Sequence, residues 1–293
     1  MGVSVRVPAS SANIGPGYDS LGMALSLHST FYAEPAEKLV IEGCPEAFRN
    51  EDNLVYQAFR RVYEKAGIAV PGVRLVIDSH VPVARGLGSS STCFAGGAAL
   101  ANALLGEPFS RDDLFQICTA LEGHPDNAAP ALFGGLTASF MNEGRAITVP
   151  FSPDPDWRFA TFIPDYEVRT SEARRIVKKE IPLSAAVHTM SHAVAMIRGL
   201  ETGDEALVRA ACDDVLHEPY RRTLIREYDG LRELTLGSGA AAFFISGSGS
   251  TLIAATRSAE LAETLCARSR ERFPNVNALV LTLCREGTVV SGT

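Results

Sequence analysis

The chain has 293 residues, 46% hydrophobic and 21% charged, with a net charge of −7, which gives core enough for one large or two medium domains. The acidic balance argues against a nucleic-acid-binding or anionic-membrane surface. Six scattered cysteines without a Cys-x-x-Cys pair, no leader-like start and no apolar run of bilayer length read as a reduced, cytoplasmic protein lacking a cysteine framework for disulfides or zinc.

Val3, Val5 and Val7 alternate with Ser4 and Arg6 and predict an opening strand. Residues 8–22, Pro-Ala-Ser-Ser-Ala-Asn-Ile-Gly-Pro-Gly-Tyr-Asp-Ser-Leu-Gly, are too rich in turn formers for regular structure. They predict a loop, either folded against a ligand or lying on the surface. Residues 53–66 predict an amphipathic helix, capped by Asp52 or Asn53 and closed by Gly67. Val73, Leu75 and Ile77 mark a strand. After it comes Pro82-Val-Ala-Arg-Gly-Leu-Gly-Ser-Ser-Ser-Thr92, leading into a small, apolar helical segment, 93–105.

A strand, a glycine turn and hydroxyls at a helix start are the parts of a phosphate site. Gly86 and Gly88 allow the backbone close to a ligand, and the helix amides face an anion. Ser89, Ser90, Ser91 and Thr92 add hydroxyls that bond phosphate oxygens or ligate Mg²⁺. An ordinary glycine loop with a capped helix has the same letters. The stretch is not a Walker loop, because no Gly-Lys-Ser/Thr follows, and it lacks the third glycine of a dinucleotide fingerprint. The four lysines (Lys38, Lys65, Lys178, Lys179) lie elsewhere, so arginine, amides or a metal must meet a bound polyphosphate.

A second helix is expected over 110–122, with Ser110 as cap and Asp113 completing a variant capping box. It delivers Glu122-Gly-His-Pro-Asp-Asn127, where a turn accounts for Asp126 and Asn127 but less readily for Glu122 and His124. Strands at 136–141 and 147–151 precede the linker-like stretch 152–156, which divides the chain into domains 1–153 and 154–293. A strand at 158–164 follows, then a capped helix start at 170–174. It carries Arg174 in its first turns, where a cation is either solvated or an anion contact. Helices are expected over 183–200 and 204–216, then a turn at Pro219 presenting Arg221 and Arg222. Strand 241–245, Ser-Gly-Ser-Gly-Ser250, strand 251–255, helix 259–272 and strand 278–283 suit a ferredoxin-like α+β sandwich. On its own the Ser-Gly repeat reads as a hairpin turn.

Residues 8–22, 82–92 and 246–251 resemble, in order and spacing, the three signature motifs of the GHMP small-molecule kinases. Residues 122–127, 170–174 and 217–221 carry the resemblance along nearly the whole chain, toward those members that phosphorylate L-homoserine. It implies a two-domain α+β GHMP kinase fold. The N-terminal mixed α/β domain would bind ATP with a left-handed-type phosphate loop, and the C-terminal domain would be ferredoxin-like. It also implies ATP and Mg²⁺ as cofactors, L-homoserine as the small-molecule partner on the route to threonine, and a homodimer, the common state of such proteins. A kinase for another hydroxylated amino acid such as threonine, and a non-catalytic nucleotide-binding relative, are the alternatives.

Carried over residue by residue, the resemblance assigns Pro82, Val83, Ala84, Arg85, Gly86, Leu87, Gly88, Ser89, Ser90, Ser91 and Thr92 to ATP, with Asn53 and the adjoining Leu54 and Val55 near the adenine. Ser90 and Glu122 become the Mg²⁺ pair. Asn13, Asp19, His124, Asp126, Arg174 and Arg221 become the amino-acid site. There a carboxylate (Asp19) suits an ammonium and two guanidiniums suit a carboxylate. Asp126 is expected to position the acceptor hydroxyl rather than act as a base, and Asn127 to bond the γ-phosphate or that hydroxyl. The chain departs from the family pattern at three places. Ser250 replaces a proline, which should loosen its turn; Arg226 stands where a proline is usual; and Ser91-Thr-Cys93 replaces an alanine run.

Overall fold

The valine alternation at the start does not stop at Pro8. In the computed structural model, which describes residues 2–292, β1 (Val3–Asn13) runs through most of the expected loop and β2 (Gly17–Pro35) returns beside it. Register shifts between Pro8 and Ala9, and between Ala12 and Asn13, absorb the turn formers within an antiparallel pair. The irregular loop expected over 8–22 is therefore reduced to a tight turn at 14–16.

The first half continues with β3 (Val40–Glu42), α1 (Leu54–Ala66), β4 (Val73–Ser79), α2 (Ser89–Leu104), α3 (Arg111–Glu122), α4 (Ala128–Phe133), β5 (Leu136–Asn142) and β6 (Arg145–Phe151). The second half holds β7 (Arg158–Pro164), α5 (Thr170–Arg175), α6 (Leu183–Thr202), α7 (Glu205–Ala211), α8 (Glu218–Arg221), α9 (Tyr228–Gly237), β8 (Ala242–Ile245), β9 (Leu252–Thr256), α10 (Ala259–Arg272), β10 (Val276–Leu281) and β11 (Val289–Gly292).

One sheet has the order β11-β1-β2-β4-β3, with the β5–β6 hairpin attached to β2. The other runs β10-β7-β9-β8, all antiparallel, the strand order of a ferredoxin-like sheet. The last strand, β11, crosses back to pair with β1.

Local chemistry explains most boundaries. Asn53 caps α1 through Val55 N–H, and Gly67 ends it in a left-handed conformation. Ser110 and Asp113 form the capping box of α3. Three expectations need correction. α7 ends at Ala211 because the Asp214 carboxylate accepts from the amides of Leu216, His217 and Glu218 and starts a new helix, α8. Pro219 lies in the first turn of that helix, where a missing N–H costs nothing. α5 has Arg169 at its N-cap and no side-chain cap bond. α4 and α9 have no clear sequence signal: α4 is only six residues long, and α9 carries Gly230 inside it and has no side-chain cap.

Three hydrophobic clusters fill the layers. The first sheet packs Phe31 and Leu75 against Phe59, Phe94 and Phe115 of α1, α2 and α3. A second cluster joins residues of both sheets, among them Ile14, Leu21, Phe159, Phe244 and Ile253. The third lies under α9 and α10, around Phe162, Leu231 and Leu265. Among the described residues no helix is long and apolar enough to cross a membrane.

α2 is buried on most sides and approaches α1 closely: a Cβ on Gly97 would fall 2.0 Å from the Val55 carbonyl oxygen. Gly97→Ala is accordingly expected to cost ~1–3 kcal/mol of stability by overpacking. Gly237, exposed at the end of α9, has nothing within 4 Å of its Cβ position, and Gly237→Ala should gain ~0.4–1 kcal/mol through chain entropy. Thermal unfolding of the two variants checks this; equal shifts would contradict the close α1–α2 contact.

Candidate active site

The three glycine-bearing motifs meet at one point. Ser246 Oγ donates to the Gly86 carbonyl at 2.6 Å and lies 2.8 Å from Ser11 Oγ. The amides of Ser10, Gly247 and Thr251 donate to the carbonyls of Leu87, Ala12 and Arg85. Gly86 (φ 77°) and Gly88 (φ 69°) hold left-handed backbone there. A Cβ on Gly86 would lie 2.1 Å from the Ser246 carbonyl oxygen, and one on Gly88 2.0 Å from Ser10 Oγ. α2 begins at Ser89, four residues earlier than the sequence suggests, and no side chain caps it. Its first amides are thus left to a ligand, at the helix end that favours anions.

Ser90, in the first turn of α2, donates to Glu122 Oε2 at 2.9 Å, from the last residue of α3. Burial holds the Glu122 carboxyl above its usual range, against the charge of His124 and the Ser90 hydrogen bond. A desolvated carboxylate beside a hydroxyl is an all-oxygen donor set that fits Mg²⁺. Next to it, His124 Nδ1 lies 2.5 Å from Asp126 Oδ1, and Nε2 lies 4.0 Å from Glu122 Oε1. Burial alone would lower the His124 pKa, but the bond to Asp126 and the two carboxylate charges outweigh it and raise it. Asn127 accepts from Ser10 Oγ at 2.9 Å and donates its N–H to Asp126 Oδ1. The 122–127 turn is thereby tied to Ser10, against which the glycine loop packs.

Asn13, the last residue of β1, and Asp19, near the start of β2, both adopt positive φ. Asn13 Nδ2 donates to the Gly247 carbonyl, and its Oδ1 accepts the Asp19 amide. Asp19 and Arg174, expected to meet opposite ends of an amino acid, are paired with each other through two bonds of 2.8 and 2.9 Å. Arg221 differs. It is 2% exposed, donates to the Ala173 and Gly247 carbonyls and sits 5.0 Å above the Tyr18 ring. Among the described residues no carboxylate lies within salt-bridge range of it. Burial lowers its pKa. A buried guanidinium met only by carbonyls and a ring is a seat for an anion.

These groups line one cavity of about 860 Å³. Pro82, Val83, Ala84, Gly86, Gly88, Ser89 and Ser90 border it, with Asn13, Asp19, Asn53, Glu122, His124, Asp126, Asn127, Arg174 and Arg221. Arg85, Leu87, Ser91 and Thr92 do not. Arg85 fastens the loop to the carbonyls of Pro164 and Asp165, Leu87 is in the core, and Thr92 bonds the Ser89 carbonyl. Asn53 is a wall residue, its amide committed to the α1 cap and the Phe48 carbonyl.

Apart from Leu54, the sequence reading missed the apolar end of the cavity, where Cys44, Pro45, Phe48, Ile77 and Val81 gather with it beside the glycine loop. They carry no motif; the only available signal was the Gly43-Cys-Pro45 turn ahead of a capped helix. Five carboxylates (Asp19, Asp52, Glu122, Asp126, Glu167) face two guanidiniums in the cavity, and no lysine does. A polyphosphate therefore needs a cation to enter.

Two departures from the family pattern converge on Tyr166. Ser250 Oγ donates to its carbonyl at 2.7 Å, so the Ser-Gly turn is tied rather than loosened. The Arg226 guanidinium lies 4.5 Å over its ring, and the Arg226 amide bonds its hydroxyl.

Comparison with known proteins agrees with this geometry. Residues 53–135 match the model of the GHMP kinases N terminal domain, and residues 196–275 match that of the GHMP kinases C terminal. A curated homoserine kinase from Clostridium beijerinckii is 41% identical over 254 residues, 86% of this chain and 85% of that protein. One from Clostridium botulinum is 38% identical over the same shares. The crystal structure of homoserine kinase from Cytophaga hutchinsonii superposes with a TM-score of 0.90 at 28% identity, covering 99% of this chain and 97% of the other. The chain belongs to the GHMP kinase family.

Proposed function

We propose that the protein transfers the γ-phosphate of ATP to the side-chain hydroxyl of L-homoserine, giving O-phospho-L-homoserine and ADP. One observation carries the reading. The Ser90–Glu122 pair stands at an uncapped helix start and shares a cavity with Arg221, a buried cation that no carboxylate among the described residues pairs with. The homoserine kinases among the relatives support the choice of acceptor.

In this scheme the amides opening α2 and the hydroxyls of Ser89 and Ser90 hold the triphosphate, and the apolar end around Phe48 and Ile77 takes the adenine. Ser90 and Glu122 hold Mg²⁺, which when bound neutralises charge on the phosphate oxygens. Arg221 seats the amino acid's carboxylate. The substrate ammonium takes Asp19 and its carboxylate engages Arg174, so one ion pair is exchanged for two. Asp126, held by His124, orients the acceptor hydroxyl toward the γ-phosphorus, and Asn127 bonds the transferring group. Phosphoryl transfer through a loose transition state depends mainly on positioning and charge, and the hydroxyl turns acidic only as its bond to phosphorus forms. The scheme calls for no strong base.

A coupled ADP-release assay over hydroxylated amino acids tests the acceptor. Homoserine is expected to exceed threonine, whose hydroxyl sits one carbon nearer the backbone, in kcat/KM by at least roughly 10–200-fold, the range for a one-carbon mismatch in a pocket; equal values would contradict the assignment. Glu122→Gln should lower Mg²⁺-dependent kcat about 100-fold or more while leaving the fold intact, given the several kcal/mol of charge stabilisation that a metal supplies. Arg221→Leu should raise KM for the amino acid roughly 10–100-fold, the value of a charge-assisted hydrogen bond, with little change in KM for ATP. An unchanged KM would remove Arg221 from the amino-acid site.

A further inference from the structure

The first half of α6 has little core beneath it. Its buried residues, Met196, Gly199 and Leu200, all fall in the second half, while Leu183, Val187, Met190 and Val194 are exposed. On another face of that first half, His188 and His192 stand one turn apart with their rings stacked at 3.7 Å. The segment after α7 brings Asp213 to them, its Oδ2 lying 3.3 Å from His188 Nε2. One ligand atom from each of the three residues lies within 4.8 Å of the other two. His192 Nδ1 sits 2.7 Å from the His188 carbonyl oxygen and 3.3 Å from Ser191 Oγ. An Nδ1–H donated to that carbonyl leaves the Nε2 lone pair free, the outer support that metal-bound imidazoles usually have.

We propose that His188, His192 and Asp213 form a binding site for a zinc-class divalent cation, separate from the Ser90–Glu122 pair. Two imidazole nitrogens and one carboxylate oxygen suit Zn²⁺ and its borderline neighbours, whereas Mg²⁺ selects oxygen donors. Three protein ligands leave a position for water. The site would tether the weakly anchored half of α6 to a functional segment. Asp213 is followed by Asp214, whose carboxylate accepts from the amides that open α8, and α8 ends at Arg221.

Equilibrium dialysis of the full chain against ZnCl₂, with Co²⁺ absorption as the spectroscopic probe, tests the site. The unaltered protein should hold one more equivalent of Zn²⁺ than the double variant H188Q/H192Q, and either single variant should weaken that equivalent about tenfold or more. Glu122→Gln should keep it. The Co²⁺ ligand-field bands of this equivalent should vanish in the double variant, and Zn²⁺ should raise the melting temperature of the unaltered protein more than that of the variant. Identical stoichiometry and Co²⁺ spectra in the two proteins would overturn the proposal. Should the double variant misfold, Asp213→Asn serves in its place, and unchanged Zn²⁺ binding there is equally decisive against the site.

Discussion

The contact between the Ser246 hydroxyl, the Gly86 carbonyl and Ser11 Oγ is the knot on which the site depends. Residues far apart in the chain are drawn there over one helix start, and the approach is too close for a side chain at position 86 or 88. The hydrophobic cluster joining the two sheets backs this polar seam with Ile14, Phe159 and Phe244. The glycine loop is thus held from both sides, with Arg85 fastening it to the end of β7. Helix-start amides left without caps are costly unless water or a ligand meets them. The cavity puts them where a nucleotide would.

Charge decides what can enter. Acidic side chains outnumber arginines around the cavity, and a polyphosphate alone would be repelled. Paired oxygen donors at Ser90 and Glu122 answer that by favouring a hard cation. At the other end the balance reverses locally: Arg221 stays buried against Tyr18 and two carbonyls. The Asp19–Arg174 pair keeps both of its charges neutralised, and in the proposed scheme a zwitterion replaces the contact. In the proposed scheme the two ends of the cavity therefore discriminate by different means, a metal on the nucleotide side and fixed guanidiniums on the amino-acid side.

Much of this was legible in the residues. Caps and glycines marked α1 and α3 to within a residue, because Asn53, Ser110 and Asp113 act on their immediate neighbours. The 122–127 cluster, the glycine loop and Arg221 could be singled out because polar groups crowd into short spans. The strand character of residues 8–13 was hidden, since it rests on pairing with β2 and on two bulges that no local pattern encodes. Likewise, Asp19 and Arg174 are 155 positions apart, and their mutual pairing is a tertiary fact. Arg85 and Thr92 share the loop's letters but turn toward Pro164 and Ser89. The apolar end near Phe48 and Ile77 is assembled from separate segments with nothing motif-like in any of them.

The proposed activity requires a nucleotide tail held by backbone amides and a metal, because no lysine lines the cavity. A crystal structure with a non-hydrolysable ATP analogue and Mg²⁺ tests that most directly. The β- and γ-phosphates are expected within hydrogen-bonding distance of the amides of Ser89 and Ser90, with the metal touching Ser90 and Glu122. A triphosphate lying away from residues 86–91 would contradict it.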